Sequence, residues 1–393
     1  MSKDLRVYLG FGMGNISSLT LPFATGLKQN DITTVFAIPQ NVPGFKELFE
    51  GNQAFTVNLV DREKGDVFSS YAVKACNNVN ELETAIKQSA AQKDGVTHVL
   101  YPSEAIGDVT KVAGVQVAGA FSAVGPKPMP IVLAAANEIA GKAGAIPFYL
   151  CENLSQAKLD ALSKPGVYPN LKIRNCVIDR TSGDQKVAGN LVTIGTEPAA
   201  KCGGIMYESR PGDEKFAGSA DGIAFQAMST EKITAKETVK WVGINLVDYL
   251  IARYVAKKAL GENAPEFVFE NNAELANEKI GKFIDSATEK ELKEMLGYVN
   301  EFLGQYGLKE DVHAFSAARI ENMRGDTFGR ILKLAPMEYY EKLRFCQGQS
   351  ISRGLVEPGK PPEKESVRYL KKALSVQKAA TSVQQKATGF KFK

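Results

Sequence analysis

Short apolar runs alternate with amphipathic stretches through the first 150 residues, and this alternation limits the possible folds more than any other feature. The first run, Leu5–Leu9, leads into closely spaced glycines, which is typical of a buried strand that ends in a turn. Strands that alternate with helices at this spacing predict a parallel sheet with helices on both faces. The predicted strands are 5–9, 32–38, 55–60, 96–100, 115–120 and 146–150, and the predicted helices are 19–28, 80–92 and 129–142.

The turn after the first strand reads GMGNIS at positions 12–17, which is close to the pattern of dinucleotide-binding folds. Gly12 and Gly14 would allow a tight bend and the approach of a pyrophosphate, but Ser17 stands where a third glycine is expected. The second strand ends at Ile38 without the acid that usually binds the ribose. The sequence therefore predicts an N-terminal Rossmann-like, doubly wound parallel sheet. A glycine turn that holds no ligand remains the alternative reading of this segment.

The pattern changes at about residue 231, where apolar residues begin to recur every three to four positions with charged residues between them. This spacing predicts a mostly helical second domain, joined to the first by strands and loops over 160–230. We expect a dinucleotide-binding domain over 1–195, a helical substrate or catalytic domain over 196–354, and a basic amphipathic tail over 355–393. Within the tail, Val367, Leu370 and Leu374 predict a short helix over 366–378.

Composition narrows the class of protein. No apolar run reaches the roughly 18 residues that a membrane span needs, and no signal peptide is apparent, so we expect a cytoplasmic protein. Five scattered cysteines and two histidines argue against a metal site and favour reduced thiols. Seven basic and no acidic residues lie in 366–393, so the net charge of +4 comes from the tail and the body is not expected to bind nucleic acid.

Six segments, in this order, resemble motifs of the polyol-specific long-chain dehydrogenases, the family of mannitol-1-phosphate 5-dehydrogenase. The resemblance extends to about residue 350. The segments are 12–16 (GMGNI), 123–126 (AVGP), 151–154 (CENL), 177–180 (VIDR), 240–248 (KWVGINLVD) and 319–333, which begins with RIEN.

The resemblance implies hydride transfer between NAD or NADP and a polyol or sugar phosphate. Lys240 would be the general base, with Asn153 and Asn245 donating hydrogen bonds to the developing alkoxide. Asp248 stands on the catalytic helix where the family has histidine. The implied cofactor-binding residues are Gly12, Gly14, Asn15, Ile16, Gly125 and Pro126, and the implied substrate-binding residues are Arg319, Asn322, Arg330 and Lys333.

The departures from the family pattern leave a second reading open. A carboxylate at Asp248 would raise the pKa of Lys240 and oppose its action as a base. The family's arginine after the glycine turn is also absent, and about a dozen residues around Tyr101–Asp108 look inserted. The alternative is a catalytically inactive dehydrogenase fold without cofactor, which self-assembles into an oligomer or filament through the tail. In that reading Lys240 is a solvated lysine, Asn153 caps a helix, and Asp248 pairs with Lys240 or Arg253.

Overall fold

A computed structural model describes residues 5–233 with short gaps, and a few scattered positions between 254 and 301. The chain divides into two compact units, Met1–Ile233 and Thr234–Lys393, and the elements below all belong to the first. In the part of the chain that is described, no helix has the length and apolar character needed to cross a membrane. The gaps before residue 234 are 14–16, 43–44, 52–53, 62–63, 93–96, 126–127, 152–158, 160, 180–181, 197–203, 217 and 221–222.

Thirteen strands and four α-helices are described in this unit, together with a 3₁₀ helix at Ser103–Lys111. The helices are α1 (Ser17–Lys28), α2 (Lys46–Glu50), α3 (Val79–Ala91) and α4 (Met129–Ala143). The strands are β1 (Leu5–Phe11), β2 (Ile32–Ile38), β3 (Ala54–Asp61), β4 (Val67–Ala75), β5 (Thr97–Pro102), β6 (Val115–Ser122), β7 (Ile146–Leu150), β8 (Leu171–Asp179), β9 (Ser182–Ala188), β10 (Leu191–Thr196), β11 (Gly204–Glu208), β12 (Ser219–Ala220) and β13 (Ile223–Met228).

Seven neighbouring strands of the sheet pair in parallel. One of them, β4, lies at the side of β5, and the other six follow the order β5-β2-β1-β6-β7-β8. This is the strand order of a doubly wound dinucleotide-binding sheet, in which the chain changes direction between the first and fourth strands of the set. Here that switch point lies between β1 and β6. Helices α3 and α4 pack on one face and α1 on the other. The predicted Rossmann-like fold class is therefore confirmed.

Antiparallel pairs extend the sheet at both ends, and the sequence analysis did not predict their pairing. Beyond β5 come β4, β3, β10 and β9, and beyond β8 come β11, β13 and β12. The antiparallel pairs are β3–β4, β9–β10, β8–β11 and β12–β13. Strands that follow residue 195 thus belong to the same sheet as β1. The predicted boundaries after residues 195 and 354 separate regions of different function. A continuous sheet does not show where a binding function ends, so these boundaries remain predictions.

The sheet curves so that its two ends approach each other. β8 is fourth and β9 thirteenth in the strand order, yet only two residues separate Asp179 from Ser182. A flat sheet would place these strands about 40 Å apart at about 4.8 Å per strand, whereas three residue steps span at most about 11 Å. Helix α1 packs against β2, β9, β10 and β12 and so lies inside the curve.

Most of helix α1 is buried within its described stretch, and only Thr25 and Lys28 are half-buried. Leu21, Phe23 and Leu27 are fully buried and belong to one large cluster with side chains from nearly every strand. The ring of Phe23 meets Phe121, Tyr149, Phe216 and Phe225 at centroid distances of 5.1–6.3 Å. A separate apolar cluster fills the opposite face of the sheet beneath α3, α4 and the 3₁₀ helix. The central strands are therefore covered on both faces.

Candidate functional site

The carboxyl ends of β1, β2, β5 and β6 surround a cavity of about 890 Å³. Ligands of open α/β sheets bind outside the carboxyl ends of the strands at a switch point, and this cavity lies there. Its volume is within the range of small-molecule and cofactor sites. The lining residues are Phe11, Gly12, Met13, Ala37, Ile38, Pro39, Val42, Phe45, Ser103, Glu104, Ala123, Val124, Gly125, Pro128, Ile131, Val132, Ala135 and Val187.

Gly12, the first residue after β1, lines the cavity. Its φ of +92° lies in a region that side chains disfavour. A Cβ added there would lie 2.8 Å from Cγ1 of Val124, so the space also requires glycine. The Gly12 N–H donates to the carbonyl oxygen of Ala37 at 3.1 Å, which joins the ends of β1 and β2.

The opposite wall comes from the segment after β6 and the first turns of α4. The backbone N–H of Ala123 donates to the carbonyl oxygen of Phe11 at 3.1 Å, so this segment starts beside the glycine turn. Gly125 follows with a φ of +82°. Ile131 on α4 borders the cavity with 75% of its surface exposed. This wall presents apolar surface to any ligand.

Polar side chains enter the described lining from one place, the segment after β5. Parallel pairing places Ile38 of β2 opposite Pro102 of β5, so the residues that follow both strands leave the sheet side by side. An Oε2 atom of Glu104 lies 3.4 Å from the backbone nitrogen of Gln40 and 3.3 Å from Oγ of Ser103. Glu104 is the one ionisable residue among the described residues of the lining.

The structure brings together two of the cofactor-binding residues named from the sequence, Gly12 and Gly125. The others, Gly14, Asn15, Ile16 and Pro126, lie outside the described residues. The expected catalytic residues Asn153, Lys240, Asn245 and Asp248 and the expected substrate residues Arg319, Asn322, Arg330 and Lys333 also lie outside them. Their roles remain predictions.

Sequence reasoning missed Ser103 and Glu104. It noted that β2 ends without an acid and that residues near 101–108 looked inserted, but it did not connect the two observations. The apparent insertion is the 3₁₀ helix Ser103–Lys111. The sequence feature that could have identified Glu104 is an acid directly after β5, the strand beside β2. Recognising it requires knowing the strand order of the sheet.

Buried charges away from the cavity are already satisfied within the fold. Arg174 and Asp213 form a two-bond ion pair with both side chains less than a tenth exposed. Burial opposes ionisation of Asp213, but hydrogen bonds from Arg174 and the Arg210 backbone lower its pKa overall. Glu208 accepts hydrogen bonds from the Asn175 backbone, Arg210 and Thr230. These groups stabilise the β8–β11 region.

Burial also shifts the pKa of His98, which is the one histidine among the described residues. His98 on β5 is almost fully buried against the rings of Phe36 and Tyr71, and its Nε2 lies 3.1 Å from Oγ1 of Thr25 on α1. Burial lowers the pKa of His98 to about 4. Among the described residues no group of three or more histidine, cysteine or acidic side chains could hold a metal ion.

The strand order and the switch-point cavity define a Rossmann-like α/β protein. No protein-family model matches the chain, and no curated protein sequence matches it. Among solved structures, yersinopine dehydrogenase with bound NADP+ has 12% identity and a TM-score of 0.44, with 96% of this chain and 92% of that chain covered. The complex of D-mandelate dehydrogenase with NADH has 12% identity, a TM-score of 0.38, and coverage of 95% and 99%. The 2-dehydropantoate 2-reductase of Porphyromonas gingivalis has 10% identity, a TM-score of 0.37, and coverage of 87% and 98%.

The resemblance to the polyol-specific long-chain dehydrogenases is wrong as an identification. The solved structures that match include a 2-dehydropantoate 2-reductase, a D-mandelate dehydrogenase and yersinopine dehydrogenase, and none of those named is a polyol dehydrogenase. At 10–12% identity these likenesses assign neither an activity nor a substrate to this chain. The glycines that suggested the family have a simpler explanation, since Gly12 and Gly125 adopt positive φ at the ends of central strands.

Proposed function

We propose that this protein is a nicotinamide-dinucleotide-dependent oxidoreductase that binds its cofactor in the cavity between the ends of β1, β2 and β6. The observation that carries the proposal is Gly12, a left-handed glycine packed against Val124 at the switch point of the sheet. A side chain there would fill the space through which a pyrophosphate approaches the backbone. A twelve-residue helix, α1, begins five residues later, and its N-terminal amides suit a phosphate.

The lining fits the uncharged parts of such a cofactor. Val42 and Phe45 on the β2 side and Val124 and Val132 on the β6 side offer apolar surface to flat rings. The cofactor, when bound, supplies a ring carbon that accepts or donates hydride. The described lining contains no lysine or arginine, so the pyrophosphate charge depends on backbone amides and on the helix N-terminus.

For the proton that accompanies hydride transfer, we retain Lys240 as the proposed base. Asn153 and Asn245 are the proposed donors to the substrate oxygen, and Asp248 is the proposed neighbour that sets the pKa of Lys240. Arg319, Asn322, Arg330 and Lys333 are proposed to bind an anionic group of a small alcohol or keto substrate. These roles were first implied by the resemblance that proved wrong as an identification, so they now rest on side-chain chemistry alone and await the tests below.

Titration calorimetry with NAD and NADP tests the proposal. We expect the wild-type chain to bind at least one of them and Gly12→Val to lose that binding, because the new side chain would clash with Val124 and adopt a disfavoured φ. Gly65→Val is the matched control, since Gly65 also has positive φ but no atom lies within 4 Å of its added Cβ. Binding that survives Gly12→Val would place the cofactor elsewhere.

Absence of binding to the wild-type chain would favour the alternative of an inactive, self-assembling protein. That reading predicts a homo-oligomer held by the basic tail, and truncation after Leu355 would then give a smaller particle by light scattering with the body still folded. An unchanged particle size would reject the tail as the assembly element. The cytoplasmic location and the lack of nucleic-acid partners remain predictions.

A further inference from the structure

The end of β2 lacks the acid that a dinucleotide site of this kind uses to hold the adenosine ribose. The strand finishes at Ile38, and Pro39 and Gln40 follow it. An acid at that place accepts hydrogen bonds from the ribose hydroxyls and disfavours a phosphate on the 2′ oxygen. Ile38 itself is buried and apolar. If the cavity binds a dinucleotide, another group must take this role or the ribose loses its anchor.

The neighbouring strand provides a carboxylate at the same place. Because Ile38 pairs with Pro102, Glu104 leaves β5 at the same level at which Gln40 leaves β2. The Gln40 N–H donates to Oε2 of Glu104 at 3.4 Å, so the carboxylate lies beside the segment that follows β2, two residues beyond Ile38. Glu104 lines the cavity, and its side chain is exposed rather than enclosed in an ion pair.

We infer that Glu104 binds the ribose diol of the dinucleotide and selects NAD over NADP. The inference rests on the proposed function and adds a specificity-determining residue to it. A carboxylate has acceptor positions for both hydroxyls of a vicinal diol, and hydrogen bonds to a charged acceptor are stronger than neutral ones. A 2′-phosphate at the same place would bring two negative groups together, which disfavours NADP.

The surroundings of Glu104 strengthen the selection against a phosphate. Ser103 contributes a hydroxyl that donates to the carboxylate, and the remaining side chains of the described lining are apolar. Sites that accept the 2′-phosphate usually place an arginine near it, and no arginine is among the lining residues that are described. Both features favour an unmodified ribose.

Calorimetric titration of NAD and NADP against wild type, Glu104→Gln and Glu138→Gln tests the inference. Glu138 is an exposed acid of α4 outside the cavity lining, so its variant removes the same charge without touching the site. We expect wild type and Glu138→Gln to prefer NAD by about tenfold or more, since hydrogen bonds to charged groups have this strength. Glu104→Gln should weaken NAD by a similar factor and leave NADP unchanged or tighter.

The outcomes separate the inference from the proposed function. If wild type binds a dinucleotide and Glu104→Gln changes the affinity for neither NAD nor NADP, the role of Glu104 is wrong and the proposed function stands. A wild-type preference for NADP would also overturn the inference. If wild type binds neither dinucleotide, both fail. Equal melting temperatures of the two variants would exclude unfolding as the cause of weak binding.

Discussion

Replacement of Gly26 by alanine tests whether the curved sheet encloses α1. A Cβ on Gly26 would lie 1.7 Å from one ring carbon of Phe225 on β13 and 2.3 Å from another. Carbon atoms pack at about 3.5–4.0 Å, so the ring would have to move by about 2 Å. It packs against Phe23, Tyr207 and Phe216 at centroid distances of 5.4–6.3 Å, and movement would disturb all three contacts.

Two opposing terms set the size of the effect. Alanine in a helix interior is favoured over glycine by about 1 kcal/mol. Overpacking typically costs about 1–3 kcal/mol, and each disturbed aromatic pair contributes about 0.5–1.5 kcal/mol. We therefore expect Gly26→Ala to lower the free energy of unfolding by about 2–4 kcal/mol, despite the gain in helix propensity.

Urea unfolding followed by circular dichroism measures this difference. Gly141→Ala in α4 is the control, because its added Cβ would meet only the end of the Asn170 side chain, at 3.1 Å. A second test replaces Phe225 by leucine, and in that background Gly26→Ala should cost clearly less. If Gly26→Ala stabilises the wild-type chain as it would an exposed helix, β13 does not cover α1 and the enclosure is wrong.

Two further predictions concern titration and catalysis. His98 has a pKa of about 4 in the folded protein and 6.5 as its ordinary value, so the unfolded chain binds more protons between these values. Stability should therefore fall as pH drops from 6.5 to 4, by up to about 3 kcal/mol, and His98→Phe should flatten the pH profile of the unfolding free energy; a profile of unchanged slope would contradict this. Once a substrate is found, Lys240→Ala should abolish turnover while leaving dinucleotide affinity intact, and Asp248→His should raise turnover if the carboxylate holds Lys240 in its charged form. Hydride transfer that persists in Lys240→Ala would remove that residue from the mechanism.

The central strands could be predicted because their signals are local. Leu5–Phe11 and Ile32–Ile38 are mostly apolar, interrupted only by Arg6, Thr33 and Thr34, as expected of buried parallel strands. Val67–Ala75, which forms β4, was missed because it mixes serines and a lysine with apolar residues and leaves several of them exposed. The pairing of β3 with β10 joins segments far apart in the chain, and no local pattern encodes it.

In the candidate site, too, only the features encoded by consecutive residues could be predicted from the sequence. The glycine turn was found because its residues are consecutive, and Gly12 has the backbone geometry that requires glycine. Glu104 was not assigned, since its relation to β2 depends on the register that pairs Ile38 with Pro102. The family resemblance misled for a related reason. Short glycine motifs indicate the turns of a parallel sheet. Proteins that act on different substrates share these turns, so the motifs do not identify a family.

The curvature of the sheet affects how the chain folds during its synthesis. Helix α1 is made early in synthesis, but Phe225, which covers Gly26, is added only after most of unit 1 has been translated. Until then the apolar side chains of α1 lack part of their cover, and such exposed intermediates are prone to aggregate. Contacts this distant in sequence also slow folding, because the loop must close before they form. The first 150 residues hold the alternating strands and helices of the parallel sheet, yet part of the cover of α1 comes from Phe225 on β13.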